Sequence, residues 1–284
     1  MGTKTLAYFP AQTAKNGQEP LQAFLEGMRK QGYTPVENSM DADVAVIWSV
    51  LWHGTMARNE AVYRHYCKQF KPVIILEVGA LARGRLWKAS VDHTTADGWY
   101  GHTQDLNWDR PKQLGLELRT PGKPKDHIVV AMQHQRSLQV ENVNYLHWIS
   151  QRIAHLRQYT DREIVLRTHP RYKTPVHITT EGVTVEHPVK IPNTYDSFDL
   201  DLDAHCIINM NSGPGIQGVI NGTRVIVDET SLAHPMGIES RDIESAYMRN
   251  RDEWFTQICH TEYTVEEFKQ GVPYMRMRDF IENH

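Results

Sequence analysis

Three polar loops in the second half of the chain each follow a short apolar run, and they carry residue types that bind anionic ligands. They lie at 133–137, 167–171 and 211–213, after apolar runs at 127–132, 163–168 and 205–210. Arginine offers a planar fork to phosphate oxygens, and histidine donates a further hydrogen bond. Ligands of α/β proteins bind at the carboxyl ends of parallel strands. We therefore expect a phosphate site built from Gln133, Ser137, Arg167, His169, Asn211 and Ser212.

Glycines follow the third of these loops. Gly213, Gly215 and Gly218 formally satisfy G-x-G-x-x-G, the spacing that lets a backbone approach a pyrophosphate at a helix N-terminus. We include Gly213 and Gly215 in the expected phosphate site, and an ordinary strand-to-helix turn is the alternative. An NAD site is disfavoured because Asp228 comes fifteen residues after Gly213 rather than about twenty. In addition, only about fifty-five residues follow, and their pattern is helical.

The first half offers candidates for a general base and for contacts with an acceptor. Glu77 ends an apolar run, where a strand terminus would hold the carboxylate at a crevice; Asp97 and His53 are the competing bases. The residues after Glu77 are basic and aromatic, and we expect four of them to contact the acceptor: Arg83, Arg85, Trp87 and Lys88.

One short acidic run resembles a metal-binding motif, and the motifs of zinc enzymes and serine hydrolases are absent from the sequence. Asp199, Asp201 and Asp203 resemble an Asp-x-Asp metal motif, but the same residues form an ordinary polar run leading into a strand. The sequence has no His-Glu-x-x-His or Cys/His ligand spacing and no Gly-x-Ser-x-Gly elbow. We therefore expect no bound metal and no tightly bound cofactor.

The elements that must hold these residues alternate between strand and helix. Most of the apolar runs lack alternation, which is typical of parallel strands covered on both faces. Helical spacing appears at 19–31, 141–159, 252–258, 264–271 and 275–283. The eight runs that predict strands are 5–9, 43–50, 72–78, 127–132, 163–168, 183–187, 205–210 and 224–228. This order predicts an α/β protein with parallel sheets.

The length of 284 residues suggests two domains. The stretch 119–126, with two prolines, a glycine and three basic residues, is the best linker. We therefore expect an N-terminal Rossmann-like domain over 1–121. A second Rossmann-like domain with C-terminal helices follows over 122–284. No apolar run approaches a membrane span, and the N-terminus shows no secretory signal.

Three cysteines without paired spacing favour a reducing compartment, so we expect a cytoplasmic protein, in the host cytoplasm if it is viral. The net charge is −3, but the charges are uneven. Residues 1–135 carry sixteen basic and thirteen acidic side chains, whereas residues 136–284 carry fifteen and twenty-one. The segment 58–125 alone has twelve basic and seven acidic residues. Such a segment indicates either an anionic partner or a solvated basic face.

With these residues in view, the chain resembles GT-B glycosyltransferases, whose two Rossmann-like domains face each other. The His169-Pro170 pair and the Asn-Ser-Gly loop at 211–213 resemble donor-site signatures of bacterial capsule-type transferases. The stretch LEVGALARGRLWK and the tail DEWFTQICHTEYTVEEFKQG are closer to glycosyltransferase-like proteins of bacteriophages, some of which modify hydroxymethylated pyrimidines in DNA. Pro214 and Gln217 depart from the usual small-residue loop.

The resemblance implies a nucleotide-sugar co-substrate, most simply a UDP-sugar, and transfer to an acceptor hydroxyl without a metal. It also implies that the domain over 1–121 lies on the acceptor side and that the domain over 122–284 binds the nucleotide sugar. Because of the basic segment, we rank hydroxymethylated pyrimidine in DNA first as acceptor. A glycan of surface polysaccharide synthesis is second, a nucleotide-binding module without catalysis is third, and an NAD oxidoreductase is fourth. We expect no membrane partner, and the sequence does not define the oligomeric state.

Overall fold

The computed structural model describes residues 4–172, 180–245 and 249–283. Its strands are short, with two to six residues each, and eleven lie in the described part of the chain. In chain order they are β1 (Lys4–Tyr8), β2 (Tyr33–Glu37), β3 (Val44–Trp48), β4 (Val73–Val78), β5 (Trp87–Val91), β6 (Ile128–Ala131), β7 (Ile164–Arg167), β8 (Val183–Glu186), β9 (Cys206–Ile208), β10 (Arg224–Ile226) and β11 (Glu262–Tyr263).

Helices connect most of these strands. In chain order they are α1 (Gln18–Lys30), α2 (Asn59–Lys68), α3 (Arg110–Gln113), α4 (Tyr145–Leu156), α5 (Gly213–Asn221), α6 (Asp252–Cys259), α7 (Val265–Gln270) and α8 (Val272–Asn283). No helix in the described ranges is both long enough and apolar enough to cross a membrane.

The chain forms two compact units. Unit 1 comprises Met1–Arg110, Arg136–Gln139 and Gln257–His284. Its six-stranded sheet has the order β11-β5-β4-β3-β1-β2. Strands β1 to β4 pair in parallel, whereas β5 and β11 are antiparallel additions at one side. One face is covered by α1, α7 and α8 through a core that includes Leu6, Phe24, Trp48 and Phe268.

Unit 2 comprises Pro111–Gln135 and Val140–Thr256. Its sheet has the order β10-β9-β6-β7-β8, and all four strand pairs are parallel. Val129, Val130, Ile207 and Ile208 are almost completely buried, as expected for central strands covered on both faces. The carboxyl ends of β6, β7, β9 and β10 therefore lie along one edge of this sheet.

The units differ from the expected domain limits at both ends. Residues 119–126 already belong to unit 2, because the amide of Arg119 donates to Ile220 O (3.0 Å) and that of Lys125 to Asp203 O (2.7 Å). The C-terminal residues 257–284 belong to unit 1 rather than to the second domain. There β11 extends the sheet beside β5, and α7 packs so closely on α1 that a Cβ at Gly27 would lie 2.0 Å from Phe268 O.

All eight strands that the sequence predicts are present, within one or two residues at their ends. The expected helices are present as α1, α4, α6, α7 and α8. Strands β2, β5 and β11 are present in addition and are not predicted by the apolar runs. The expected fold class, α/β with two Rossmann-like units and mainly parallel sheets, is confirmed by this topology.

Candidate functional site

Hydrogen bonds between polar side chains connect three strand ends at the carboxyl edge of the unit 2 sheet. Gln133 follows β6, Asn211 follows β9 and Thr230 follows β10. Gln133 Nε2 donates to Asn211 Oδ1 (2.8 Å), and the Asn211 amide donates to Gln133 Oε1 (3.1 Å). Asn211 Nδ2 also donates to Thr230 Oγ1 (3.0 Å). Because Gln133 and Asn211 are both buried, this reciprocal pair holds the edge in one arrangement.

The N-terminus of α5 lies beside this pair. Ser212 occupies the N-cap position, and Asn209 Nδ2 donates to its hydroxyl (2.8 Å) and its carbonyl (3.1 Å). Ser212 and Gly213 are half-buried. In the first turn of α5, Pro214 has no N–H and the Gly215 amide donates to Ser212 O (3.3 Å), so the remaining N–H at this end is that of Gly213. The helix dipole makes this end positive. The loop expected to receive a phosphate therefore ends at a helix terminus suited to an anion.

The glycines serve mainly to bring α5 close to the sheet. A Cβ at Gly215 would lie 2.7 Å from Asn209 Oδ1 and 2.9 Å from a methyl carbon of Val227. A Cβ at Gly218 would lie 2.8 Å from a methyl carbon of Val225. Side chains at these positions would push α5 away from β9 and β10. The glycine spacing of the G-x-G-x-x-G motif therefore permits close helix–sheet packing, which is one of the roles of this motif.

Two histidines meet at the neighbouring strand ends. His134 follows Gln133 and is buried, and its ring centroid lies 5.3 Å from that of His169, which follows β7. The Tyr172 ring lies 4.6 Å from His134. His169 is half-buried, and its Nδ1 accepts the Arg171 amide (3.2 Å). The sequence predicts a role at this site for His169 but not for His134, although the position of His134 directly after Gln133 is a usable signal.

Arg167 stands in a different environment from the one expected. It ends β7, only 8% of it is exposed, and its guanidinium forms an ion pair with Asp199. Asp199 Oδ1 also accepts the Val189 amide (2.6 Å). The charge that was expected to bind donor phosphates is therefore already balanced by a carboxylate within unit 2.

Ser137, the sixth side chain of the expected phosphate site, belongs to unit 1. It forms an antiparallel bridge with Leu51, and the neighbouring Arg136 carbonyl accepts the Trp52 amide (2.7 Å). The loop that begins with Gln133 thus passes from one unit to the other. The structure brings Gln133, Asn211, Ser212 and Gly213 together, with His169 nearby at the next strand end.

Asp199 and Asp201 of the Asp-x-Asp run lie at opposite edges of the unit 2 sheet, and the Asp203 amide donates to Asp201 Oδ1 (3.2 Å). Asp199 pairs with Arg167 at the carboxyl edge, whereas Asp201 contacts Lys125 (2.8 Å) and His127 (3.1 Å). His127 precedes β6, so Asp201 lies at the amino edge of the same sheet. Within the described ranges, no three His, Cys, Asp or Glu side chains form a group that could hold a metal ion.

In unit 1, Glu77 belongs to a row of charged residues across three strands. It lies opposite Lys88 in the β4–β5 register, and Lys88 lies opposite Glu262 in the β5–β11 register. Burial raises the pKa of the Glu262 carboxyl and lowers the pKa of the Lys88 ammonium. Glu262 accepts the amides of Ala80 (2.6 Å) and Leu81 (3.1 Å), which fixes the loop after Glu77.

The other candidate bases lie on exposed loops. Asp97 Oδ2 accepts the Thr95 hydroxyl (3.2 Å), and the same hydroxyl contacts His93 Nδ1 (2.6 Å). His53 is exposed at the start of a short 3₁₀ helix. Glu77 is half-buried, and its Oε1 accepts the amide of the next residue, Val78 (2.9 Å).

Two of the four expected acceptor contacts are buried. Trp87 is 6% exposed and belongs to the core of unit 1, and Lys88 is 7% exposed. Their position in β5 explains this, because every residue of β5 is buried between β4 and β11. Arg83 and Arg85 lie on the preceding loop, half-buried and exposed respectively.

Comparisons with known proteins place the fold. No family model matches the chain, and no curated protein matches its sequence. Among solved structures, the beta Kdo 2,4 transferase KpsC of Thermosulfurimonas dismutans matches with a TM-score of 0.53 and 12% identity, over 92% of this chain and 91% of that one. The fold is of the GT-B type. The beta Kdo 2,7 transferase KpsC of the same organism matches with a TM-score of 0.48 and 10% identity, over 96% and 99% of the two chains.

Proposed function

We propose that the chain is a glycosyltransferase that uses a nucleotide-sugar donor bound at the carboxyl edge of the unit 2 sheet. The observation that carries this proposal is the buried Gln133–Asn211 pair, which borders the N-terminus of α5. A rigid amide pair beside a positive helix terminus suits a ligand with a phosphate and a polar neighbouring group. The GT-B type of fold is consistent with this chemistry.

In this proposal, a donor phosphate lies at the Gly213 amide, at the positive end of the α5 dipole. Gly213 leaves the backbone accessible there, and His169 donates to a phosphate oxygen from the neighbouring strand end. As the bond between the sugar and the phosphate breaks, negative charge develops on the departing nucleotide. Preorganised donors stabilise that charge without reorganisation, which permits transfer without a metal ion.

The acceptor contributes a hydroxyl oxygen that forms the new bond to the anomeric carbon. Its proton passes to a base, for which we propose Glu77 of unit 1. The leaving group keeps the electron pair of the broken carbon–oxygen bond, and protonated Glu77 later releases its proton to water. Asp97 and His53 remain the alternative bases.

For the acceptor, we propose a sugar hydroxyl of a growing surface polysaccharide. Similarity in fold to a Kdo transferase favours this acceptor over DNA. The charge argument for DNA is also weaker than the sequence implied. Of the twelve basic residues in 58–125, Lys88 and Arg110 are buried, while Arg64 and Lys125 form ion pairs with carboxylates.

Hydroxymethylated pyrimidine in DNA is the second candidate acceptor, because Arg83 and Arg85 lie on the loop that follows Glu77. The test incubates the full chain with a mixture of nucleotide sugars and two acceptor panels. One panel holds oligosaccharides, and the other holds duplexes with cytosine, 5-hydroxymethylcytosine or 5-hydroxymethyluracil. Mass spectrometry then identifies the product that has gained a sugar.

A mass increment on an oligosaccharide that disappears in the His169→Ala variant supports the proposal. An increment only on a hydroxymethylated base moves the assignment to DNA. If no acceptor gains mass, calorimetry with nucleoside mono- and diphosphates decides. Binding that Gln133→Ala abolishes then indicates a nucleotide-binding module, and absence of binding overturns the donor site.

A further inference from the structure

Unit 2 contains a second concave site, away from the carboxyl edge of its sheet. A cavity of about 450 Å³ lies between the C-terminal end of α5, the start of β10 and the segment 234–242. Its volume falls within the range of small-molecule sites. Four arginines line it, namely Arg224, Arg241, Arg249 and Arg251. Residues 136–284 have fifteen basic side chains against twenty-one acidic ones, so this concentration of cations is local.

Two of the guanidinium groups form the inner part of the cavity. Arg251 is half-buried, and its Nη1 donates to Val219 O (2.6 Å) at the end of α5, while its Nη2 donates to Arg119 O (2.8 Å). These bonds hold its position. Arg224 is also half-buried, and its Nε is shielded from solvent without an acceptor among the described residues. Its Nη1 has only a long contact to His205 O (3.5 Å).

The outer part has mixed charges. Arg241 and Arg249 are exposed, and Arg249 Nη1 donates to Pro235 O (2.7 Å). The two carboxylates that line the cavity, Glu239 and Asp242, are also exposed. Water and salt screen charges on the rim more than charges in the inner part. The positive potential is therefore strongest at the inner part, where Arg224 and Arg251 lie.

We infer that this cavity binds a small molecule carrying a diphosphate group. Four guanidinium groups line the cavity against two carboxylates, so its lining has a net positive charge, and guanidinium groups bind the oxygens of linked phosphates. Arg251 contributes its charge rather than a free fork, because its Nη1 and Nη2 already donate to backbone carbonyls. A smaller cavity of about 170 Å³ has Thr223 and Arg224 in its lining as well. The site is separate from the proposed donor site, because the nine residues of α5 place roughly 13 Å between their ends.

The test is calorimetric titration of the full chain with inorganic pyrophosphate, with sulfate at equal ionic strength as the reference anion. Arg241→Glu changes an exposed rim residue, and Arg224→Gln changes the inner part. Arg29→Glu, on the exposed end of α1, is the control with the same change in net charge. His169→Ala reports on pyrophosphate bound at the carboxyl edge instead.

We expect pyrophosphate to bind more tightly than sulfate. Arg224→Gln and Arg241→Glu should each weaken it about tenfold or more, as for the loss of a charged hydrogen bond. Arg29→Glu should leave the affinity within about twofold, the scatter of unrelated surface changes. His169→Ala should weaken only pyrophosphate bound at the carboxyl edge, and the binding event that Arg224→Gln weakens should persist in it. The inference is overturned if pyrophosphate binds no better than sulfate, if Arg29→Glu weakens binding as much as Arg241→Glu, or if only His169→Ala abolishes it.

Discussion

Lys88 and Glu262 lie directly opposite each other on antiparallel strands, and both are buried. Glu262 also accepts two backbone amides of the loop after Glu77, while Lys88 Nζ donates to Thr94 O (3.3 Å). Glu262 comes from the C-terminal part of the chain. The loop that carries Arg83 and Arg85 therefore depends on a carboxylate about 180 residues away in the sequence.

Removing either member of this pair should destabilise the protein. Lys88→Met would leave the buried Glu262 without the cation that faces it, at a cost of about 3–5 kcal/mol in the free energy of unfolding. Glu262→Gln should cost less, because Lys88 also lies opposite Glu77. The double variant should recover part of that loss. Urea unfolding measures all three, and Lys30→Met, which breaks the exposed pair with Glu26, should cost less than about 1 kcal/mol. Equal costs for Lys88→Met and Lys30→Met would contradict the structure.

Stability in acid should depend on Glu282, which joins α8 to β1. Its carboxylate accepts the Tyr274 hydroxyl (2.7 Å) and contacts Lys4 Nζ (3.0 Å), and these partners lower its pKa from 4.5 to about 2. A depressed pKa stabilises the folded state above pH 4.5, and the gain is lost as the pH falls toward 2.

Because Glu282 is partly exposed, we expect Glu282→Gln to cost about 1 kcal/mol at pH 7. The difference from the unaltered chain should vanish near pH 2. Urea unfolding at several pH values measures it. Tyr274→Phe, which removes the hydroxyl donor, should also reduce the pH dependence. A difference that stays constant from pH 7 to pH 2 would argue against this role of the carboxylate.

Eight of the eleven described strands can be predicted because an apolar run is visible in the local sequence. The three missed strands depend on distant partners. β2 contains Pro35 and lies at an exposed edge, β5 contains a buried lysine, and β11 has two residues whose only strand partner in the described structure is β5. Neither propensity nor periodicity reports such pairing. For the same reason, no local sequence pattern indicates that residues 257–284 belong to unit 1.

The candidate site was predictable in part. Residues after parallel strands meet at one edge, so Gln133, Asn211 and Ser212 could be grouped from their positions alone. The partner of Arg167 could not be found in this way. Asp199 lies 32 residues further along the chain, and residues 173–179 between them lie outside the described part of the structure. The sequence therefore indicated where Arg167 lies but not that its charge is balanced.

Gly215 should tolerate no side chain. Gly215→Ala would place a methyl group against Asn209 Oδ1 and Val227, so α5 must shift from the sheet, and we expect a loss of about 1–3 kcal/mol in stability. Nucleoside diphosphate binding should weaken as well. Gly122→Ala is the matched control, because nothing lies within 4 Å of its added Cβ. Thermal unfolding and calorimetry provide the two measurements, and a stable Gly215→Ala protein with normal binding would refute the packing role.

Arg167 and His169 should respond differently to substitution by alanine. Arg167→Ala leaves Asp199 without its ion pair, so we expect about 1–3 kcal/mol of lost stability and little direct change in nucleotide affinity. His169→Ala should keep stability but lower turnover more than donor affinity, if the imidazole acts on the leaving phosphate. Unfolding curves and calorimetry separate the two. A tenfold weaker nucleotide affinity in a fully stable Arg167→Ala protein would restore Arg167 as a phosphate ligand.

Glu77 provides the sharpest test of the proposed transfer step. Glu77→Gln keeps the shape of the side chain and an oxygen that can accept the Val78 amide, but it removes the ability to take a proton. We expect kcat to fall by about 10²–10⁴-fold with unchanged donor affinity, which is the usual contribution of a general base. Asp97→Asn is the matched control on an exposed loop, and it should change kcat by no more than a few-fold. If the two variants exchange these outcomes, Asp97 is the base. If both keep nearly full turnover, the proton leaves by another route and His53→Ala is the next variant to measure.

A further variant separates loss of the base from loss of its position. Lys88 and Glu262 hold the strand and the loop on either side of Glu77, so Glu262→Gln should raise the acceptor KM and leave nucleotide affinity intact.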